Sequence, residues 1–106
     1  MKNADQFLYL TTIGRRTGLP REIEIWFTER EGCYFVIAER GENANWVRNI
    51  RANRQVHARV AARQFAAEAR VVDAEAEPEL AQAVKTLSTA KYGWSDGLIV
   101  EIRPGD

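Results

Sequence analysis

A chain of 106 residues is long enough for one self-supporting domain, burying something between ~60% and ~70% of its unfolded surface. Its 15 basic and 15 acidic side chains cancel, and its one cysteine, Cys33, excludes an internal disulfide framework. No apolar run approaches the ~18 residues of a membrane-spanning helix, and the N-terminus lacks the charged-then-apolar pattern of a secretion signal, so a single cytoplasmic domain over residues 1–106 is expected.

Phe7–Ile13 and Ile23–Thr28 are rich in aromatic and β-branched residues and read as strands, joined by the loop Gly14–Arg21. Glu29–Gly32 reads as a turn. Cys33–Ala38 follows as a third strand whose unbroken apolarity predicts burial on both faces. After Gly41, Asn43 or Asn45 is placed to cap a helix through Trp46, Val47, Ile50 and Arg51. Trp46 and Ile50 share one face of it, with Arg48, Arg51 and Arg54 on the other, and Asn53 is expected to close it in the left-handed conformation.

Gln55–Val60 alternates apolar and polar residues, and Phe65–Val72 does so more loosely, which predicts a half-exposed hairpin whose edge is available to a second copy. The acidic stretch Asp73–Glu79 contains Pro78 and suits the start of a second helix. That helix continues through Leu80, Ala83, Val84, Leu87 and Ala90 and ends at Gly93. Leu98–Ile102 is the last strand, stopped by Pro104 and Gly105. Six strands and two helices in this order imply an α+β, mainly antiparallel architecture in the small-barrel range, not a parallel Rossmann sheet.

The chemistry concentrates in the first loop. Residues 1–63 carry eleven Lys and Arg against seven Asp and Glu, and the sign reverses in the remainder. Nearly all of the basic excess is arginine, whose fixed fork of N–H donors matches phosphate or carboxylate oxygens in pairs, so a discrete anion pocket is favoured over a nucleic-acid groove. Gly14 and Gly18 bracket Arg15, Arg16 and Thr17, with Arg21 just beyond, and glycines there allow close approach of the backbone to a ligand. The plainer reading of the same residues is an arginine-rich, solvated turn. No Cys/His spacing suits a metal, and His57 reads as a surface residue of its strand.

Two motifs in register, Leu10–Arg21 and Asn45–Asn53, resemble the deazaflavin-dependent nitroreductase family, in which a TTxGRxSG-x-PR loop precedes a W-x-x-N-L-x-A-N-P helix. The resemblance runs from about Leu8 to Val72 and more weakly to the end. It implies a six-stranded split β-barrel similar to pyridoxine-phosphate oxidase, and an oxidoreductase passing a hydride from reduced coenzyme F-420 to a nitroaromatic, quinone or enone. By the same resemblance Gly14, Arg15, Arg16, Thr17, Gly18 and Arg21 grip the phosphate and tail of the coenzyme. Arg40 and Gly41 match a basic-then-glycine step after the third strand, and Trp46, Asn49 and Ile50 match the helix beside the ring. Tyr92 and Trp94 match substrate-facing aromatics. No acid–base residue is singled out, since in such enzymes the cofactor carries the chemistry.

Asn49 remains open between a backbone clamp and a cofactor contact, and Trp46 between a ring wall and plain core. The chain departs from the pattern at Arg16, which is lysine in many relatives. Its Gly41–Trp46 segment is shorter, and it lacks an N-terminal helix and ends early, which together imply a more open site with weaker cofactor retention. The alternatives are an FMN-dependent enzyme of the same fold and a non-catalytic deazaflavin or flavin binding module. Split barrels of this kind often pair, so a homodimer is expected.

Overall fold

The computed structural model describes residues 6–105. Seven strands occur in place of the expected six: β1 (Phe7–Ile13), β2 (Pro20–Trp26), β3 (Thr28–Arg30), β4 (Cys33–Ala38), β5 (Gln55–Val60), β6 (Arg63–Val71) and β7 (Leu98–Pro104). Two α-helices accompany them, α1 (Asn45–Ala52) and α2 (Pro78–Tyr92), with a single 3-10 turn over Gly41–Asn43. The additional strand arises because the run expected over Ile23–Thr28 is broken at Phe27. Its first part pairs with β1, from Phe7 opposite Trp26 to Ile13 opposite Pro20, and its second part pairs with β4, with Thr28 opposite Phe35.

Every pairing is antiparallel, in the order β2-β1-β5-β6-β7-β4-β3. The first and last strands of this order are neighbours in the chain with only Phe27 between them, so the sheet is obliged to curl into the split-barrel form. At the break the backbone of Phe27 leaves both ladders, and side chains at the end of α2 receive it. The Phe27 N–H donates to the Tyr92 hydroxyl at 3.0 Å, while the Phe27 carbonyl accepts from that hydroxyl at 2.7 Å and from Lys91 Nζ at 3.0 Å. An unpaired buried backbone group is costly, and this arrangement leaves neither group of Phe27 without a partner.

Burial of β4 on both faces follows from two cores. Tyr34, Val36 and Ala38 point into the barrel with Leu8, Leu10, Ala58, Val100 and Ile102, where α1 contributes Val47 and Ile50. Phe35 and Ile37 point the other way, with Ile99 and Val72, against Ala81 and Val84 of α2. Alternation along one strand thus feeds two layers. Arg70 ties the acidic turn before α2 to the sheet, bonding Glu101 at 2.7 Å and Glu77 at 2.6 Å. Its guanidinium holds the Glu77 carboxyl below the ordinary carboxylate range.

Four sequence expectations need correction. Neither side chain expected to cap α1 does so: its N-cap is Ala44, which makes no side-chain capping bond. Asn53 does end α1, but in extended geometry (φ −150°, ψ 111°), with its Oδ1 accepting from the Gln55 N–H at 3.0 Å. The β5–β6 hairpin is interior to the sheet, since β5 also pairs with β1 and β6 with β7, so it offers no edge to a second copy. The strand bounds shift as well, with β2 starting at Pro20 and β6 at Arg63. Pro78 opens α2 and Gly93 ends it, its N–H returning to the Thr89 carbonyl.

Burial pushes the Tyr92 phenol above its ordinary value, against a smaller opposing effect of its bond to Phe27. The folded chain therefore holds this proton more tightly than the unfolded chain. The associated stability is complete below about pH 10 and is lost as pH rises through the folded value. Tyr92→Phe removes the hydroxyl that serves Phe27 and is expected to cost about 1–3 kcal/mol at neutral pH. Urea titrations between pH 7 and 11 should show that deficit shrinking at the alkaline end; a constant deficit would separate Tyr92 from the alkaline loss.

Candidate functional site

The site starts from a loop that locks itself. Between β1 and β2 the Gly14 N–H donates to the Leu19 carbonyl at 2.8 Å, the Gly18 N–H to the Gly14 carbonyl at 2.8 Å, and the Leu19 N–H to Thr17 Oγ1 at 3.2 Å. Glycine is required at both ends. A Cβ on Gly14 would lie 2.6 Å from Thr17 Oγ1, and Gly18 has φ +73°, which a side chain disfavours. Closing the loop this way leaves Arg16 exposed and turns Arg15, half-buried, toward α1. Arg21, expected in the loop, lies on β2 opposite Thr12.

Asn49 joins this loop to α1. Its side-chain oxygen accepts from the Arg15 N–H at 3.2 Å and from Arg15 Nη1 at 2.9 Å, and its amide nitrogen donates to Thr12 Oγ1 at 3.1 Å. The residue is 4% exposed, so these bonds replace hydration that it has lost. The geometry makes Asn49 a clamp across β1, the loop and α1. Asn45 supports the same guanidinium through its carbonyl and Oδ1, each at 3.4 Å, leaving Nε–H and one Nη2–H of Arg15 for another partner.

A groove of about 1110 Å³ runs past these residues. Gly14, Arg15, Arg16, Thr17, Arg21, Arg40, Trp46, Asn49 and Trp94 all line it, so most of the residues singled out in the sequence come together here. Four do not. Ile50 is buried in the barrel core, Gly18 and Gly41 lie outside the wall, and Tyr92 stands behind Trp26, with its ring against the indole. The groove also brings in residues that the sequence reading missed, chiefly Phe7, Ile23, Glu24, Ile25 and Trp26. Trp26 was detectable in principle: it falls on the same strand face as Glu22 and Glu24, and an aromatic on the polar face of a strand marks a contact surface.

The two ends of the groove differ in chemistry. Since Pro20 and Trp26 stand six residues apart on an extended strand, the Arg15–Arg16 loop and the Phe7–Trp26 end are roughly 20 Å apart, with Arg21 on the strand between them and Arg40 three residues beyond Ile37 of β4. Among the described residues no carboxylate lies within salt-bridge distance of Arg15, Arg16, Arg21 or Arg40, whereas Arg51, Arg59, Arg70 and Arg103 all have one. Four guanidinium groups without an ion-pair partner line one groove together with the carboxylates of Glu24 and Glu39, and guanidinium groups left unpaired in this way suit a multiply charged anion. The opposite end is apolar, with Trp26 and Trp94 edge to face at 6.2 Å and Ile25 and Ile37 beside them. The arginines, with the apolar side chains of Trp46, Ile23 and Ile25 in the same groove, fit a ligand with a polyanionic tail and a planar ring.

The model of the F420H(2)-dependent quinone reductase family matches residues 1–97 of the chain. No curated protein matches it significantly. Among solved structures, the heme storage protein HutZ from Vibrio cholerae superposes with a TM-score of 0.79 at 21% identity, over 96% of this chain and 83% of that one. An F420-H2 dependent reductase gives 0.74 at 19% identity, over 96% of both chains. A putative pyridoxamine 5′-phosphate oxidase from Listeria innocua gives 0.73 at 12% identity, over 95% of this chain and 85% of that one. These structural likenesses establish the fold.

Asn49→Ala should cost about 1–3 kcal/mol, because it leaves the fully buried Thr12 hydroxyl and the Arg15 N–H without their acceptor or donor. Chemical denaturation measures this, and a loss under 0.5 kcal/mol, roughly that of a neutral surface change, would show that the clamp is dispensable.

Proposed function

The chain belongs to the family of quinone reductases that depend on reduced coenzyme F-420, and from that membership and the groove we propose that it passes a hydride from this coenzyme to a small organic acceptor, a quinone, nitroaromatic or enone. It is a deazaflavin-dependent oxidoreductase by family. What supports the finer reading is the set of four arginines without ion-pair partners in a groove that is aromatic at Trp26 and Trp94. When bound, the coenzyme supplies the hydride. The protein's share is binding, orientation and exclusion of water.

Arg16, Arg21 and Arg40 are the side chains to neutralise the phosphate and carboxylates of the tail, and Arg15 adds its two remaining N–H donors while Asn49 and Asn45 fix its direction. Trp46, half-buried on α1, offers an apolar wall, as do Ile23 and Ile25. The same features suit the phosphate of FMN, and the pyridoxamine-phosphate-oxidase-like fold keeps FMN as the second reading. A binding module without turnover is the third. Residues 1–106 act as one domain in this scheme, in the cytoplasm and as a homodimer. Among the described residues no helix is long and apolar enough to cross a membrane. Of the two sheet margins, β2 is the longer and more exposed, and it takes over from the β5–β6 hairpin as the pairing edge.

Titration with coenzyme F-420 and with FMN tests the reading. Arg16→Ala and Arg40→Ala touch no described partner in the fold, and each should weaken the preferred cofactor about tenfold to a hundredfold, equivalent to about 1.5–3 kcal/mol for a charged hydrogen bond. Unchanged affinity in both variants would remove the anion-site reading. Tight binding with no reoxidation of the reduced coenzyme by quinones, nitroaromatics or enones would leave a binding module. Sedimentation of a monomer at micromolar concentration would dispose of the dimer.

A further inference from the structure

Trp26 is held unusually well for a side chain on the exposed face of a marginal strand. Its indole lies parallel to the Tyr92 ring, with centroids 4.4 Å apart and planes within 2°, and Trp94 meets it edge-on at 6.2 Å and 72°. Tyr92 is itself fixed through its hydroxyl, which receives the Phe27 N–H and lies 2.7 Å from both the Phe27 and Gln6 carbonyls. One face of the indole is therefore covered by a ring that cannot turn freely. Yet Trp26 remains 36% exposed and lines the groove beside Phe7, Ile25 and Trp94. A tryptophan kept only to fill the core would not need both a rigid backing and an open surface.

Resting on the reading that an acceptor shares the groove with the coenzyme, we propose that Trp26 is the platform on which the ring of the acceptor stacks, and that Tyr92 is a positioning residue acting through it. Aromatic rings pair in offset stacks because the negative π-face of one seeks the positive periphery of another, and an electron-poor ring is the best match for the face of an indole. The parallel Tyr92–Trp26 pair would extend by one further layer into the groove. The location is also compatible with the coenzyme: roughly 20 Å of β2 separates Trp26 from the Arg15–Arg16 loop, so the ring of the acceptor does not compete with an anionic tail held at that loop. Tyr92 does not touch the acceptor in this arrangement. Its ring sets the plane of the indole, and its hydroxyl anchors that plane to the strand break at Phe27.

The test uses the full chain loaded with oxidised coenzyme F-420, which has no hydride to give, and 1,4-naphthoquinone as probe. The indole N–H signals of Trp26, Trp46 and Trp94 are followed by NMR, the Trp26 signal being the one missing in Trp26→Leu. Quinone should displace the Trp26 signal. Trp26→Leu should weaken quinone binding roughly twofold to tenfold, and Trp26→Phe, which keeps a ring, by less. Coenzyme affinity should be unchanged in both. Tyr92→Leu should weaken the quinone without touching coenzyme affinity, and in turnover the loss should fall on the KM for the quinone rather than on kcat.

The proposal is overturned if quinone moves only the Trp46 or Trp94 signal, or if Trp26→Leu and Trp26→Phe both bind quinone as the native chain does. A Trp26 signal that follows protein concentration instead of quinone gives the indole to a second copy and also overturns it. Failure of the coenzyme itself to bind defeats the functional reading instead, and the same titration on the coenzyme-free chain then still decides the role of Trp26.

Discussion

Only one residue, Phe27, separates the strand that pairs with β1 from the strand that pairs with β4, and that covalent tie between the two margins of the sheet governs the rest of the molecule. A twisted seven-stranded sheet left to itself would keep its ends apart. Here they are one peptide unit from meeting. The curl this enforces gives β4 an inner and an outer face, each with its own core, and sets β2 across from the end of β4 so that a groove opens between them. Its local cost is a residue outside both ladders, and Lys91 and Tyr92 offset that cost with direct hydrogen bonds.

Around this frame the site is assembled by a small number of polar contacts. Asn49 spans three segments with one amide, so the direction of Arg15, the seating of α1 and the hydroxyl of Thr12 are set together. A misplaced loop would therefore disturb the helix as well. The aromatic end is fixed independently, through the hydroxyl of Tyr92. The two ends of the groove are thus anchored separately on a common strand, so a substitution at one is expected to leave the geometry of the other in place.

Much of this was legible from local patterns. Alternation and β-branching located β1, β4, β5 and β7, and Pro78 with Gly93 bounded α2, because each of those signals depends on residues a few positions apart. The arginine loop was legible for the same reason, with its glycines and basic residues contiguous. The break at Phe27 was not, since the groups that accept its backbone stand 64 and 65 positions later in the chain. The role of Asn49 stayed open because its partner, Arg15, lies 34 positions away. Tyr92 and Trp26 exchanged places for a similar reason: a ring stack between a strand end and a helix end leaves no trace in either segment alone.

Four guanidinium groups gathered without ion-pair partners carry a consequence beyond recognition. An anion that they hold in the folded chain and not in the unfolded one acts as a folding ligand. At a hundredfold excess over its dissociation constant such a ligand adds ~2.7 kcal/mol, a sizeable share of the ~5–15 kcal/mol that holds a typical domain together. A ligand held by the folded chain alone would couple the lifetime of the protein to the supply of that ligand, since opening becomes rarer as the ligand is more abundant.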